Sequence, residues 1–136
     1  MKKYNIIVIF DKNYQNVLMC LRRKDPFSGL YNFVGGKIND DETSEQAAYR
    51  ELYEETHINR KNLTLKHVHD MIYYFEDMIL EVWTGKLDKF IEVYGDENDL
   101  EWISLSENFF DVQRFAGYGN IGHILYSIHL NKKEIL

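Results

Sequence analysis

The sequence predicts an α/β fold in which a mixed β-sheet is covered on both faces by helices. Segments of apolar and β-branched residues alternate with segments of helical periodicity, in the order strands, helix, strands, helix. Hairpins are mixed with one crossover around the first helix, and a crossover of this kind joins parallel strands. Helices on both faces are the layer arrangement that buries such a sheet.

Six segments have the composition of strands, with short polar turns between several of them. Residues 6–10 form an apolar run of the kind found in buried strands, and the polar turn Asp11-Lys12-Asn13 joins this run to the second strand. A tight turn at Glu76-Asp77 joins the fourth and fifth strands. The predicted strands are residues 6–10, 15–22, 31–34, 63–75, 78–85 and 100–105.

Two segments are predicted to be helices. The first covers residues 43–56, where Thr43 can be the N-cap and Gln46 completes a capping box. The second covers residues 120–130, in which apolar residues recur at helical spacing. Each helix is expected to pack one apolar face on the sheet. In the first helix that face consists of Ala47, Ala48 and Leu52.

The composition limits the classes of function. Apolar residues make up 45% of the 136 residues, which is enough for a folded core and fits one domain spanning residues 1–136. The formal net charge of −6 disfavours nonspecific binding to long nucleic acid, because a phosphate backbone requires a basic surface. A small charged ligand bound through a metal ion is compatible with that charge.

The cysteine and hydropathy patterns indicate a cytoplasmic protein. Cys20 is the only cysteine, so it can form neither an internal disulfide nor a thiolate zinc cluster. Its apolar neighbours predict a buried core thiol rather than a nucleophile. The apolar run at residues 6–10 is too short for a secretory signal or a membrane-spanning helix. We expect no membrane partner, and the sequence leaves open whether the protein forms a homodimer.

The first predicted helix carries three carboxylates on one face. Glu51, Glu54 and Glu55 lie at positions i, i+3 and i+4, one helical turn apart. Like charges at this spacing repel each other, and a divalent cation would remove the repulsion. Because carboxylate oxygens are hard ligands, Mg²⁺ is the natural cation and Mn²⁺ is a substitute. A solvated charged face is the alternative, since most charge runs on helices have no other role.

The residues before this helix favour the metal site over a solvated face. Gly35-Gly36 follows a predicted strand, and glycine lets a backbone approach a ligand closely. The whole segment resembles the Nudix box, with the pattern Gly, five residues, Glu, seven residues, then Arg-Glu-apolar-any-Glu-Glu-any-Gly-apolar. The matching positions are Gly36, Glu42, Arg50, Glu51, Leu52, Glu54, Glu55 and Ile58. The preceding residues 32–37 are similar to the entry of the box in MutT-type members.

The resemblance implies a Nudix-type α/β/α sandwich and hydrolysis of a diphosphate bond in a nucleotide-like substrate. It also implies that Glu42 supports the metal site and that Arg50 orients a glutamate. The implied metal ligands are the Gly36 carbonyl and the carboxylates of Glu51, Glu54 and Glu55. The residues implied in catalysis are Glu51, Glu54 and Arg50, together with Glu97 in a later acidic loop, as a general base or a further ligand.

His57 is the one departure from the pattern, because the family has glycine at this position. That glycine ends the helix, where a left-handed backbone is common. We therefore expect either that His57 adopts a positive φ or that the helix ends differently from the family's pattern. In the first case, a change of His57 to glycine should stabilise the protein by roughly 1 kcal/mol. Every implied metal ligand is retained, so the departure does not indicate loss of activity.

Residues outside the box are expected to bind the substrate. Arg22 and Arg23 end the second strand, and Lys37 follows the Gly-Gly turn, so all three are candidates for phosphate contacts. The resemblance to purine-hydrolysing MutT-like enzymes implies that Asn32, before the box, and Asp99, in the later acidic segment, read a purine base. Their chemistry is suitable, because an amide offers a donor and an acceptor and a carboxylate accepts from purine N–H groups. Each of these side chains has a purely structural alternative as a strand-end or turn residue.

The leading hypothesis for the substrate is a nucleoside triphosphate, with an oxidised purine such as 8-oxo-dGTP as a specific form. The products would be a nucleoside monophosphate and pyrophosphate. ADP-ribose, a dinucleotide or a nucleotide sugar is the alternative within the same enzyme class. A module that senses a nucleotide without catalysis is the alternative from another class, although such a module would be expected to lose metal ligands.

Overall fold

The structure is a computed structural model that describes residues 1–95 and 99–136. Within these residues a six-stranded sheet is combined with three helices, none of which has the length and apolar character needed to cross a membrane. The elements, in chain order, are β1 Lys2–Phe10, β2 Asn16–Leu21, β3 Tyr31–Asn32, α1 Ser44–Thr56, β4 Lys66–Tyr73, β5 Met78–Lys86, β6 Asp99–Ser104, α2 Asn120–Leu130 and α3 Lys132–Ile135.

β1 lies at the centre of the sheet. It pairs in parallel with β5 along its whole length, from Lys2 opposite Met78 to Phe10 opposite Lys86. The chain between β1 and β5 includes α1, so the predicted crossover is present. β4 and β5 form an antiparallel hairpin, and β2 pairs antiparallel with β1, β3 and β6. The sheet is therefore mixed, which confirms the prediction.

Alternate residues of β1 face two separate cores. Ile7 and Ile9 pack in the cluster that contains the apolar face of α1. Val8 and Phe10 point the other way and pack in the cluster that contains the apolar face of α2. All four of these side chains are fully buried. The alternation follows from the period of two in a strand, and it confirms that helices cover both faces of the sheet.

The ends of α1 are those predicted from its sequence. The Gln46 N–H donates to the Thr43 hydroxyl oxygen at 3.1 Å, and the Thr43 N–H donates to the Gln46 side chain at 2.9 Å, which completes the capping box. The helix ends at Thr56, and His57 adopts a left-handed conformation with φ 64°. Both the cap and the positive φ of His57 are confirmed.

Four features differ from the prediction. β1 begins at Lys2, four residues before its predicted start at Ile6. β3 covers only Tyr31–Asn32, because the chain then leaves β2 and Val34 pairs with Ile7 of β1 in an isolated bridge. β4 begins at Lys66, since the preceding Leu63 and Leu65 fill the core beneath α1 instead of extending the strand. The helix α3 is too short to show a periodic apolar pattern in the sequence.

Candidate active site

The Gly35-Gly36 turn is fixed against β1. The Gly36 carbonyl accepts a hydrogen bond from the Asn5 backbone N–H at 2.8 Å, and the Gly36 N–H donates to Asn5 Oδ1 at 3.0 Å. A Cβ on Gly35 would lie 2.2 Å from the Asn5 carbonyl oxygen, and the φ of Gly35 is 144°. Only glycine fits this position, because both the close approach and the backbone conformation exclude a side chain.

The helix α1 meets the same turn from the other side. A Cβ on Gly36 would lie 2.6 Å from the Glu51 carboxyl group, so the absence of a side chain leaves room for that carboxylate. The Gly35 N–H donates to Glu55 Oε2 at 3.0 Å. Two of the three predicted ligands on the helix, Glu51 and Glu55, therefore lie directly against the turn that carries the fourth ligand, the Gly36 carbonyl.

The Arg50 guanidinium brings three carboxylates together. Its Nε and Nη2 atoms donate to the two oxygens of Glu42 at 2.9 and 2.7 Å, a bidentate pairing that fixes the guanidinium plane. Its Nη1 atom donates to Glu51 at 3.1 Å and to Glu54 at 3.1 Å. Nη2 also donates to the Lys37 carbonyl at 3.0 Å, which ties the helix to the end of the turn.

The pKa values of these groups shift in different directions. Hydrogen bonds from Arg50 lower the pKa of Glu42, and the same pairing raises the pKa of Arg50. Glu51 offers Arg50 only one oxygen and is buried against the turn, and this burial raises its pKa. Burial raises the pKa of Glu55 to about 7, and the nearby charges of Glu51 and Glu54 add to the shift.

The chemistry of this donor set fits a hard divalent cation. The predicted ligands are all oxygen atoms, and the space beside Gly36 that a Cβ would fill is bounded by a carboxylate. In the part of the chain that the structure describes, no three acidic, histidine or cysteine side chains are arranged to hold a metal ion. Glu51 and Glu54 are turned to Arg50, and Glu55 is turned to the Gly35 N–H. The Arg50 cation thus balances charges that a metal ion could balance instead.

The predicted substrate residues lie at one end of β2. Asn32 pairs with Cys20 and Asp99 pairs with Leu21, on opposite sides of β2. The Asn32 Oδ1 accepts from the next backbone N–H at 2.8 Å. Asp99 forms an exposed ion pair with Arg23, so the structure places two predicted substrate residues in contact with each other.

The remaining predicted residues are more dispersed. The Arg22 Nε donates to the Pro26 carbonyl at 2.7 Å, which holds the loop after β2. Lys37 is exposed and lines a cavity of about 430 Å³ together with Lys2 and Lys3. Glu97 lies outside the described residues.

Two buried polar residues near the turn were missed by the sequence analysis. Asn5 is 2% exposed, and its Nδ2 atom has no hydrogen-bond partner among the described residues. Glu81 lies opposite Asn5 in the β1–β5 register and accepts from Ser44 Oγ at 2.8 Å and Trp83 Nε1 at 3.2 Å. The sequence signal that could have identified Asn5 is its position on the face of β1 that otherwise carries the apolar residues Ile7 and Ile9.

Cys20 is not part of the acidic site. Its side chain is buried, and burial raises the pKa of its thiol to about 11, with a further contribution from the charge of Glu55. A thiol with a raised pKa is a poor nucleophile because little thiolate is present. The prediction that Cys20 is a buried core residue is confirmed.

Known proteins share both the sequence pattern and the fold. Residues 3–120 match the NUDIX domain family. The 8-oxo-dGTP diphosphatase of Escherichia coli (strain K12) is 34% identical over 109 residues, which cover 77% of this chain and 83% of that protein. The Ap4A hydrolase of C. elegans has a similar structure with a TM-score of 0.77 and 20% identity, covering 99% of this chain and 100% of that one.

A second structural relative is the NUDIX domain of Shewanella oneidensis NrtR, solved in complex with ADP ribose. Its TM-score is 0.74 at 19% identity, and the alignment covers 96% of this chain and 87% of that one. At these identities the two solved structures establish the fold alone. The family match spans most of the chain and includes the whole acidic segment, so this protein is a member of the NUDIX family of hydrolases.

Proposed function

We propose that this hydrolase converts a nucleoside triphosphate to a nucleoside monophosphate and pyrophosphate in a Mg²⁺-dependent reaction. The observation that supports this function is the convergence of Glu42, Glu51 and Glu54 on Arg50 beside the Gly35-Gly36 turn. The 34% sequence identity to an 8-oxo-dGTP diphosphatase, over 77% of this chain, favours a triphosphate substrate.

The Gly36 carbonyl and the carboxylates of Glu51, Glu54 and Glu55 would hold the cation. When bound, a divalent cation neutralises charge on the phosphate oxygens and lowers the pKa of the attacking water. Glu51 and Glu54 would then exchange their hydrogen bonds with Arg50 for the cation. Arg50 keeps its bidentate pairing with Glu42, so its guanidinium remains beside the site.

Glu54 is our candidate for the general base. It is exposed, whereas Glu51 and Glu55 are partly buried, so its carboxylate is the most accessible of the three to water. A base at this position would accept the proton of the attacking water. Glu97, which precedes β6 in the sequence, is the second candidate.

The substrate would lie at the end of β2, with its phosphates towards the acidic site. Arg22, Arg23 and Lys37 would contact phosphate oxygens, and Asn32 and Asp99 would contact a purine base. Asp99 binds Arg23 through one carboxylate oxygen, so its other oxygen can accept from purine N–H groups while the ion pair is kept. An oxidised purine triphosphate such as 8-oxo-dGTP is the specific form that we propose.

A substrate panel tests the reaction class. Purified protein with Mg²⁺ is incubated with canonical and oxidised nucleoside triphosphates, ADP-ribose and Ap4A, and the products are identified by ³¹P NMR. We expect monophosphate and pyrophosphate from triphosphates at the highest kcat/KM. Preferred cleavage of ADP-ribose or Ap4A would replace the triphosphate assignment, and cleavage of none of these compounds would contradict a diphosphohydrolase.

A second experiment tests the base contacts. The ratio of kcat/KM for 8-oxo-dGTP and for pyrimidine triphosphates is compared among wild type, Asn32→Ala and Asp99→Ala. A site that hydrogen-bonds the base rejects analogues that lack the matching group, so both variants should lose most of the preference. Lys37→Ala is the control, because Lys37 is a proposed phosphate contact outside the Arg23–Asp99 ion pair, and its loss should weaken all triphosphates alike. An unchanged preference in both base variants would rule out these contacts.

A further inference from the structure

Asn5 holds both hydrogen-bonding groups of Gly36. Its backbone N–H donates to the Gly36 carbonyl at 2.8 Å, and its side-chain Oδ1 accepts from the Gly36 N–H at 3.0 Å. A single residue in the regular, fully paired strand β1 therefore fixes both the position and the rotation of this glycine. The Gly36 carbonyl is the one proposed metal ligand that has no side-chain torsions with which to adjust.

The Asn5 side chain is costly at this position. It lies on the face of β1 that otherwise buries Ile7 and Ile9 under α1, and it is 2% exposed. Because Oδ1 is engaged by Gly36, the orientation of the amide is set, and Nδ2 is left without a partner among the described residues. A buried donor without a partner is destabilising, so an apolar residue would serve the core better.

Within the described residues, the other side-chain hydrogen bonds to the turn come from groups that the proposed reaction would recruit. Glu55 holds the Gly35 N–H, but Glu55 is itself a proposed metal ligand. Arg50 holds the Lys37 carbonyl, but Arg50 is also bound to Glu51 and Glu54. Asn5 is neither charged nor a proposed ligand, so its contacts with Gly36 can persist when these carboxylates change partners.

We propose that Asn5 is a positioning residue that keeps the Gly36 carbonyl aimed at the metal site while the carboxylates rearrange. This inference rests on the proposed metal-dependent function. The proposed role explains why the apolar face of β1 contains a polar side chain: Asn5 serves the metal site and not the stability of the core. Residues that orient a metal ligand typically change metal affinity by about 10- to 100-fold when they are removed.

The test is a titration of the protein with Mn²⁺, in which free Mn²⁺ is measured by electron paramagnetic resonance. In Asn5→Leu we expect the Kd for Mn²⁺ to rise by about tenfold, because the Gly36 peptide loses its side-chain anchor. We expect the melting temperature to change little, because loss of the unpartnered Nδ2 donor offsets the cost of leaving the Gly36 N–H without its acceptor. Asn5→Ala makes the same comparison with a smaller side chain if leucine is not accommodated.

The matched control is Thr84→Val on β5. Thr84 is also fully buried, and its hydroxyl donates to the Val8 carbonyl at 2.8 Å, away from the Gly-Gly turn. This variant should lower the melting temperature and leave the Kd for Mn²⁺ unchanged, because stability lost well below the unfolding transition does not alter the folded fraction. If Asn5→Leu binds Mn²⁺ as tightly as wild type, or if Thr84→Val weakens Mn²⁺ binding as much as Asn5→Leu does, the role of Asn5 is refuted. Either result would leave the proposed function standing. Failure of the wild type to bind Mn²⁺ would overturn the proposed function as well.

Discussion

Single side chains at this site each connect several segments of the chain. His57 is an example, because its Nδ1 donates to the Tyr94 carbonyl at 2.7 Å and its ring stacks on the Tyr94 ring at a centroid distance of 4.1 Å. The Tyr94 N–H in turn donates to the Thr56 carbonyl. The residue that replaces the glycine of the Nudix pattern thus ties the segment before β6 to the end of α1.

These contacts revise the expected effect of His57→Gly. Glycine would relieve the strained backbone by roughly 1 kcal/mol, but the variant would lose a hydrogen bond worth about 1 kcal/mol and a ring stack worth about 0.5–1.5 kcal/mol. We now expect little net gain in the free energy of unfolding measured by urea denaturation. In a Tyr94→Ala background the stack is already lost, so His57→Gly should be more favourable there. Equal stabilisation in both backgrounds would show that the contacts with the Tyr94 ring contribute nothing.

Arg50 should be needed most when no divalent cation is present. Arg50→Met removes the only cation that contacts Glu42, Glu51 and Glu54 within the described residues, so their mutual repulsion should lower the melting temperature in EDTA. Added Mg²⁺ should then raise the melting temperature of this variant more than that of wild type.

The control for this experiment is Arg60→Met. Arg60 forms an exposed ion pair with Glu45 at 3.2 Å on the same helix, away from the Gly-Gly turn. Its response to Mg²⁺ should match that of wild type. If Mg²⁺ raises the melting temperature of Arg50→Met and of wild type by the same amount, Arg50 and the cation do not balance the same charges.

Secondary-structure elements were predictable where the determining residues are close in sequence. The start of α1 follows from Thr43 and Gln46, three residues apart, and its end follows from a position that requires a left-handed backbone. The short β3 was not predictable, because its length depends on where the chain leaves β2 for β1. Local signals fix the helix, whereas packing against a distant strand fixes the ends of the strands.

The turn between β1 and β2 should give a pH-dependent contribution to stability. Asp11 accepts from the Gln15 N–H at 2.7 Å and from the backbone and side-chain N–H groups of Asn16 at 3.0 and 2.7 Å. Burial acts to raise the pKa of Asp11, but these hydrogen bonds outweigh it and lower the pKa. The folded state therefore favours the charged carboxylate.

Since the folded pKa is depressed, this contribution is present above the unfolded pKa of about 3.9 and is lost as the pH falls through the folded value. Asp11→Asn lacks the charge at every pH. The difference in free energy of unfolding between wild type and Asp11→Asn should be constant near neutral pH and should shrink below about pH 4. A difference that does not vary with pH would exclude this origin.

The whole molecule assembles the site from segments that are far apart in the sequence. β1 supplies Asn5, the turn supplies Gly35 and Gly36, and α1 supplies the carboxylates. The carboxylates on one helical face were predictable, because their spacing is local. Asn5 was not, because nothing in the sequence indicates that residue 36 packs beside residue 5. The contact between Arg23 and Asp99, 76 positions apart, was not predictable for the same reason.

The most direct test of the account is the Mg²⁺-dependent turnover of Glu54→Gln and Glu55→Gln, measured on the preferred triphosphate. Glutamine keeps the size of each side chain and removes its charge, so kcat should fall by roughly 10²-fold or more while the thermal melt shows a folded protein. Glu45→Gln is the control, since Glu45 is on the same helix but forms its ion pair with the exposed Arg60. Its turnover should equal that of wild type. Near-wild-type turnover in both Glu54→Gln and Glu55→Gln would contradict the assignment of this acidic helix face as the catalytic metal site.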